Sequence, residues 1–151
     1  MNKLTAMVLT VLVGTSGLAG CADDKPSASD WAAKVVDVCR GLNTDRTAAI
    51  VASGMPTDAA PTVEQLMAFT AAFEPAFHSA ISDIKALDRP SGMDAEIDEL
   101  FAALDGGAAR MALGATDRTV AEADLNSQDG APEWARLEAA SVAAGVAECN
   151  E

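Results

Sequence analysis

Apolar side chains recur at three- and four-residue intervals through most of this chain, the period of a helix with one buried face. From about Ser29 to Ser53, the residues Trp31, Val35, Val38, Cys39 and Leu42 share a face, and Ser27 or Ser29 stands where a hydroxyl can cap the start. Gly54, Pro56 and Pro61 then mark a loop. The second segment has the clearest opening. Thr62-Val63-Glu64-Gln65 fits a capping box, in which Thr62 accepts from a free backbone N–H and Gln65 reaches back. Leu66, Phe69, Phe73, Phe77, Ile81, Ile84 and Leu87 follow at helical spacing. Pro75 lies inside this run and predicts a kink, because it removes one backbone donor. Arg89-Pro90 ends the segment.

Ser91-Gly92-Met93-Asp94 restarts the chain as a third helix with the stripe Ile97, Leu100, Phe101, Leu104, Ala108 and Met111. Asp94, Glu96, Asp98 and Glu99 crowd its first turns, where negative charge meets the positive end of the helix dipole. Gly106-Gly107 weakens it by about 1 kcal/mol per glycine relative to alanine. The pattern fits both a break there and a helix running on towards Leu125. Asn126 to Gly130 is rich in turn formers, and Pro132 opens a fourth helix at its favoured first position. Trp134, Leu137, Ala140, Ala144 and Ala147 are its inward positions. No strand-like alternation competes with these stripes, and there is no internal repeat. The expected fold is all-α: a small antiparallel four-helix bundle, because most of the connections are short. Alanine is the commonest residue, so the helices can approach closely around a thin core.

The N-terminus follows a different pattern. Lys3 precedes an apolar run, Leu4, Ala6–Leu9 and Val11–Val13, interrupted by Thr5 and Thr10 and loosened by Gly14, Ser16 and Gly17. This run is shorter than the roughly 20 apolar residues a membrane-spanning helix needs and has the layout of a cleaved secretory signal. Leu18-Ala19-Gly20-Cys21 resembles a lipobox, the motif of bacterial lipoproteins. The resemblance implies that the Cys21 thiol receives a diacylglycerol and that cleavage before it frees an amine for a further acyl chain such as palmitate. Two or more chains anchor a protein stably to a bilayer. The expected organisation is a signal peptide over residues 1–20, a tether over 21–28 and a helical domain over 29–151. That places the domain on the outer face of the cell membrane. The polar tether, with Asp23, Asp24, Lys25 and Pro26, spans only about 20–25 Å when extended, so the domain rides close to the bilayer.

Charge narrows the partners. The formal net charge is −13, from 23 acidic and 10 basic residues. Loss of a leader carrying Lys3 makes the excess of acid one unit larger. Such a chain does not suit nucleic acid, whose phosphates demand lysine and arginine, nor does it favour lying flat on an anionic bilayer. With Cys21 assigned to lipid, Cys39 and Cys149 remain. Outside the cytoplasm such a pair is expected to be oxidised, tying the first helix to the C-terminus. A metal-bound or reactive pair is the competing reading, weakened by the absence of a C-x-x-C spacing and by there being one histidine, His78.

Candidate chemistry is sparse. His78 has no second histidine with which to build a metal site. Asp94, Glu96, Asp98 and Glu99 read as a solvated helix start, since calcium takes six or more oxygens from a loop. Asp124 to Gly130 resembles a calcium loop but fails the EF-hand spacing, with Asp129 where glycine belongs and Ala135 where the closing glutamate belongs. There is no G-x-S-x-G, no Gly-rich phosphate loop and no H-E-x-x-H, and tyrosine is absent. The sequence therefore predicts no enzyme, no metal and no cofactor. Its one concentrated apolar feature is Met67, Phe69, Phe73, Phe77, Phe101 and Met111. This set is either bundle core or the lining of a pocket for an apolar ligand, opened by the kink at Pro75.

With the lipobox, Trp31…Cys39 and Ala147-Glu148-Cys149 make the chain similar in style to the small helical lipoproteins of high-GC Gram-positive bacteria. That likeness implies an envelope location and carries over no catalytic residue. Two functional expectations result. The first is a membrane-anchored, non-enzymatic interaction or accessory module with an envelope protein as partner. The second is a carrier or sensor of a small apolar ligand held between the helices.

Overall fold

The structure, a computed structural model, describes residues 25–127 and 130–150. Cys21, the signal segment and Asp129 of the turn-rich loop lie outside the described residues. Helix α1 runs over Ala28–Ser53. The Ser27 hydroxyl accepts from the Asp30 backbone N–H at 3.1 Å, so of the two serines the first is the cap. Gly54, at φ 65°, ends the helix in the left-handed region that a Cβ would disfavour, and its N–H returns to the last turn.

Helix α2 covers Val63–Lys85. Both halves of the expected capping box are present: Thr62 N–H donates to Gln65 Oε1 at 2.9 Å, and Gln65 N–H donates to Thr62 Oγ1 at 3.2 Å. Gln65 Nε2 also donates to the Gly54 carbonyl at 2.8 Å, pinning the start of α2 to the end of α1. The helix is uninterrupted at Pro75, which sits on its exposed face.

Helix α3 spans Asp94–Thr116 and passes unbroken through Gly106-Gly107. The reason lies in packing rather than propensity. Gly107 is buried, and a Cβ there would stand 3.0 Å from the Trp134 ring. The glycine that weakens the helix locally is the one that lets a neighbouring helix close on it. The chain breaks later, at Asp117. This aspartate accepts from the Thr119 and Val120 backbone N–H groups at 2.8 and 3.4 Å and starts a short additional helix, α4, over Arg118–Asn126. Helix α5 occupies Pro132–Ala143 and is followed by a 3-10 helix at Ala147–Asn150. Ala147 is exposed rather than inward; Val146, 1% exposed, takes the buried position.

The four long helices form the expected antiparallel bundle. Helix α1 packs on α2, α2 on α3, and α3 on α5, while α4 lies across α2 and α3. Trp31, Val35, Ile97, Leu100, Ala103, Ala144 and Val146 make the best-buried part of the core. No backbone packing joins α1 to α5 among the described residues. That fourth seam is closed by the 3-10 helix, which touches both, and by the Cys39–Cys149 disulfide, with a Cα–Cα distance of 5.3 Å. The expected staple between the first helix and the C-terminus is therefore present, and it stands where helix packing stops.

Ion pairs fasten the exterior. Arg136 on α5 grips Glu99 on α3 with two bonds of 2.7 and 3.0 Å, and Arg118 on α4 reaches Glu64 on α2 at 2.6 Å. The Arg136 hydrogen bond holds the Glu99 carboxyl below its usual 4.5. Glu64 is lowered chiefly by the backbone N–H at its helix start and then by Arg118. Both groups bind protons less readily folded than unfolded, so their contribution is full above the unfolded value and is lost as pH falls through the folded one. Glu99→Gln is expected to lower stability at pH 6 and to do so by less at pH 3 in urea titrations. A gap of equal size at both pH values would show that the pair contributes nothing that titrates.

Candidate functional site

A cavity of about 390 Å³ lies among helices α1, α2 and α3, with single residues of α4 and α5 and Cys149 in its wall. Helix α1 lines it with Cys39, Leu42, Asn43 and Arg46, spaced so that all four share one face. Helix α2 contributes Leu66, Phe69, Thr70, Phe73 and Phe77 by the same periodicity. Arg110, Met111 and Gly114 enter from α3, Asp124 from α4 and Trp134 from α5, and Cys149 completes the wall beside its bridge partner.

Of the six aromatic and methionine residues singled out in the sequence, the fold brings four to this cavity: Phe69, Phe73, Phe77 and Met111. Phe69 stacks on Phe73 at 5.6 Å between centroids, Phe73 lies 6.1 Å from Phe77, and Phe77 meets Trp134 edge-on at 6.3 Å. Met67 and Phe101 are not in the lining. Phe101 instead lies half-buried on α3 beneath two cations, Lys85 Nζ at 5.7 Å and the Arg89 guanidinium at 4.8 Å from its ring centre. Pro75 is exposed and absent from the lining, so the expected proline kink does not open this cavity.

The cavity has a direction. Along α2 the lining passes from Phe77, beside Trp134 and the disulfide, to Thr70 and Leu66. On α3 the position of Gly107 faces Phe77 and Trp134, and that of Gly114 faces Thr70 at 3.6 Å and Asp124 at 3.9 Å. One end is therefore aromatic and sulfur-lined. The other carries Asn43, Arg46, Thr70, Arg110 and Asp124. Thr70 is buried, and its hydroxyl is already committed to the Leu66 carbonyl at 2.8 Å. Arg110 and Asp124 form a hydrogen-bonded ion pair, only 20% and 23% exposed, which joins α3 to α4. The Asp124 hydrogen bond raises the Arg110 pKa above its usual value, with Glu133 adding a second negative charge nearby. Sequence reading assigned Asp124 to a calcium-like loop; its helical position and its bond to Arg110 give it a structural role instead.

A second, smaller cavity of about 60 Å³ shares Cys39, Leu42, Phe77 and Cys149 with the first. These four side chains form the partition between the two. His78 is on the outside of α2, with Nε2 3.5 Å from a Glu74 carboxylate oxygen, and takes no part in either cavity. Asp94 and Glu96 are exposed at the start of α3, while Asp98 and Glu99 pair with Arg89 and Arg136. Among the described residues no three His, Cys, Asp or Glu side chains are grouped as a metal site, and no helix is long and apolar enough to cross a membrane. Comparison of the chain with protein-family models, with characterised proteins and with solved structures finds no match in any of the three. The sequence reading missed Trp134 as part of the lining, together with Arg46 and Gly114. Their signal was there in outline, since Arg46 continues the α1 stripe by four residues and Gly114 lies three beyond Met111.

Proposed function

We propose that this protein is a lipid-anchored envelope protein that carries or senses a small apolar ligand, with Cys21 as the anchor and the 390 Å³ cavity as the binding site. The observation supporting this reading is the 390 Å³ cavity lined by Phe69, Phe73, Phe77, Met111 and Trp134. Its volume falls within the roughly 300–1,000 Å³ of small-molecule sites, and such sites pair an apolar lining with a few polar groups at one end. The alternative expectation, a module that works through its outer surface alone, gives no account of aromatic side chains gathered around unfilled space. Burying about 25 cal/mol of driving force per Å² of apolar ligand surface is what such a lining offers.

Gly114 provides the test. A Cβ at this position meets Thr70 and Asp124 at ordinary contact distances, so the first carbon of a side chain fits without a backbone shift. Gly114→Leu gains helix propensity and adds bulk beside the cavity lining, and urea unfolding checks that the variant is folded before its binding is compared. Binding of a fluorescent apolar probe, followed by titration, is expected to weaken at least tenfold. Native mass spectrometry of the anchored protein from an envelope-bearing host is expected to show a one-to-one small-molecule adduct that the variant lacks. Equal probe binding by both proteins would move the ligand elsewhere and remove the cavity from the proposal.

A further inference from the structure

We infer that the ligand is a single-chain amphiphile with an anionic head, its tail held at the Phe77–Trp134 end of the cavity and its head held by Arg46. The inference rests on the cavity reading and adds the chemical class of the ligand.

Arg46 is the observation that carries it. The chain has six arginines in an excess of acid, 23 acidic residues against 10 basic. Five of the six have a carboxylate within salt-bridge distance: Arg40, Arg89, Arg110, Arg118 and Arg136. Arg46 has none among the described residues, although it lines the cavity. Among the described residues, this one guanidinium at the polar end of the apolar pocket has no carboxylate on it. Arginine's planar fork suits a carboxylate or a phosphate, either of which it can hold through two parallel bonds.

The other charges at that end direct an anion to Arg46 and not past it. Arg110 is committed to Asp124, and Glu133 adds further negative charge behind it. An acidic head seated at Arg110 would have to displace a carboxylate already hydrogen-bonded there. Asn43, one turn before Arg46 and exposed, adds an amide donor on the same face of α1. Arg46 and Cys39 are separated by two helical turns, about 10 Å along α1. The cavity is thus long enough to hold the head and a medium-length tail at opposite ends. A carboxylate head and a phosphate monoester head share this chemistry, and the probes below distinguish them.

The experiment compares four ten-carbon probes, decanoate, decyl phosphate, decanol and decylamine, on the parent chain, on Arg46→Gln and on Gly114→Leu, by calorimetry or probe displacement. At least one of the two anionic probes is expected to bind fivefold or more tightly than decanol. Whichever does so identifies the head group. Arg46→Gln is expected to abolish that preference while leaving decanol affinity within twofold, and raising the salt is expected to shrink the preference in the parent chain alone. Arg46 is exposed, so the variant keeps its fold and its decanol binding reports that directly. Decanol binding as tightly as both anions, decylamine binding most tightly, or a preference that survives Arg46→Gln would overturn the head-group inference while the cavity reading stands. Failure of all four probes to bind, or binding unaffected by Gly114→Leu, would overturn the cavity reading and this inference together.

Discussion

Replacing Cys39 and Cys149 together with serine is expected to lower the stability of the domain by about 4–5 kcal/mol, the chain-entropy figure for a closed loop of this size. The loop is among the longest the chain allows, with a sequence separation of 110. Domains of this length are stable by only about 5–15 kcal/mol in total, so the bridge is a large fraction of what keeps the bundle folded. Its position strengthens the expectation. Helices α1 and α5 share no backbone packing of their own, and the 3-10 helix between them is a single four-residue turn. Val146 is buried and its N–H reaches the Ser141 carbonyl at 2.8 Å, so the C-terminal segment has some hold on α5 without the bridge. Its hold on α1 besides the bridge is the contact of the 3-10 helix and an exposed Arg40–Glu148 pair at 3.9 Å. The double variant avoids a stray thiol, and urea unfolding with linear extrapolation measures the loss. A midpoint unchanged from the parent chain would mean that helix packing alone closes the seam.

The same variant bears on binding. Cys39 and Cys149 line both cavities, so the pocket wall and the staple are one object. Losing the bridge frees the wall to move, and ligand affinity is expected to fall along with stability. Under the proposed location outside the cytoplasm the bridge stays oxidised, and reduction is expected to weaken ligand binding.

The fold was legible where the code is local. Thr62 and Gln65 announce their capping box within four residues, and Pro132 marks its helix start by its missing donor. The stripes on α1, α2 and α3 follow from apolar spacing alone. What stayed hidden depends on contacts between distant segments. Gly107 reads as a weak point until Trp134 is seen against it. Asp117 is an ordinary aspartate until the chain turns there and needs a cap. Phe101 and Phe77 are indistinguishable as phenylalanines on helical stripes, yet one ends beneath Lys85 and Arg89 and the other between two cavities. Arg46 continues the α1 stripe, but that it has no carboxylate partner among the described residues depends on where distant segments fall.

Phe77→Ala is expected to destabilise the domain by about 3–5 kcal/mol, the range for deleting a buried aromatic ring, and to lower the melting temperature by on the order of 10–20 °C. The ring is 6% exposed and lies between Phe73 and the edge of Trp134. It also belongs to the partition between the 390 Å³ and 60 Å³ cavities, so its removal joins them into one larger space. Part of the loss is therefore recoverable. A ligand that binds only the folded state adds stability in proportion to the logarithm of its concentration over its dissociation constant. Longer apolar chains, which use the added space, are expected to stabilise Phe77→Ala more than they stabilise the parent chain. Thermal melts in the presence of ten- and fourteen-carbon alcohols separate the two effects. If the variant loses under about 1 kcal/mol, the ring is not packed and the partition is already open. If it loses the expected amount but gains nothing from the longer alcohol, Phe77 is ordinary core, and the smaller cavity is no extension of the binding site.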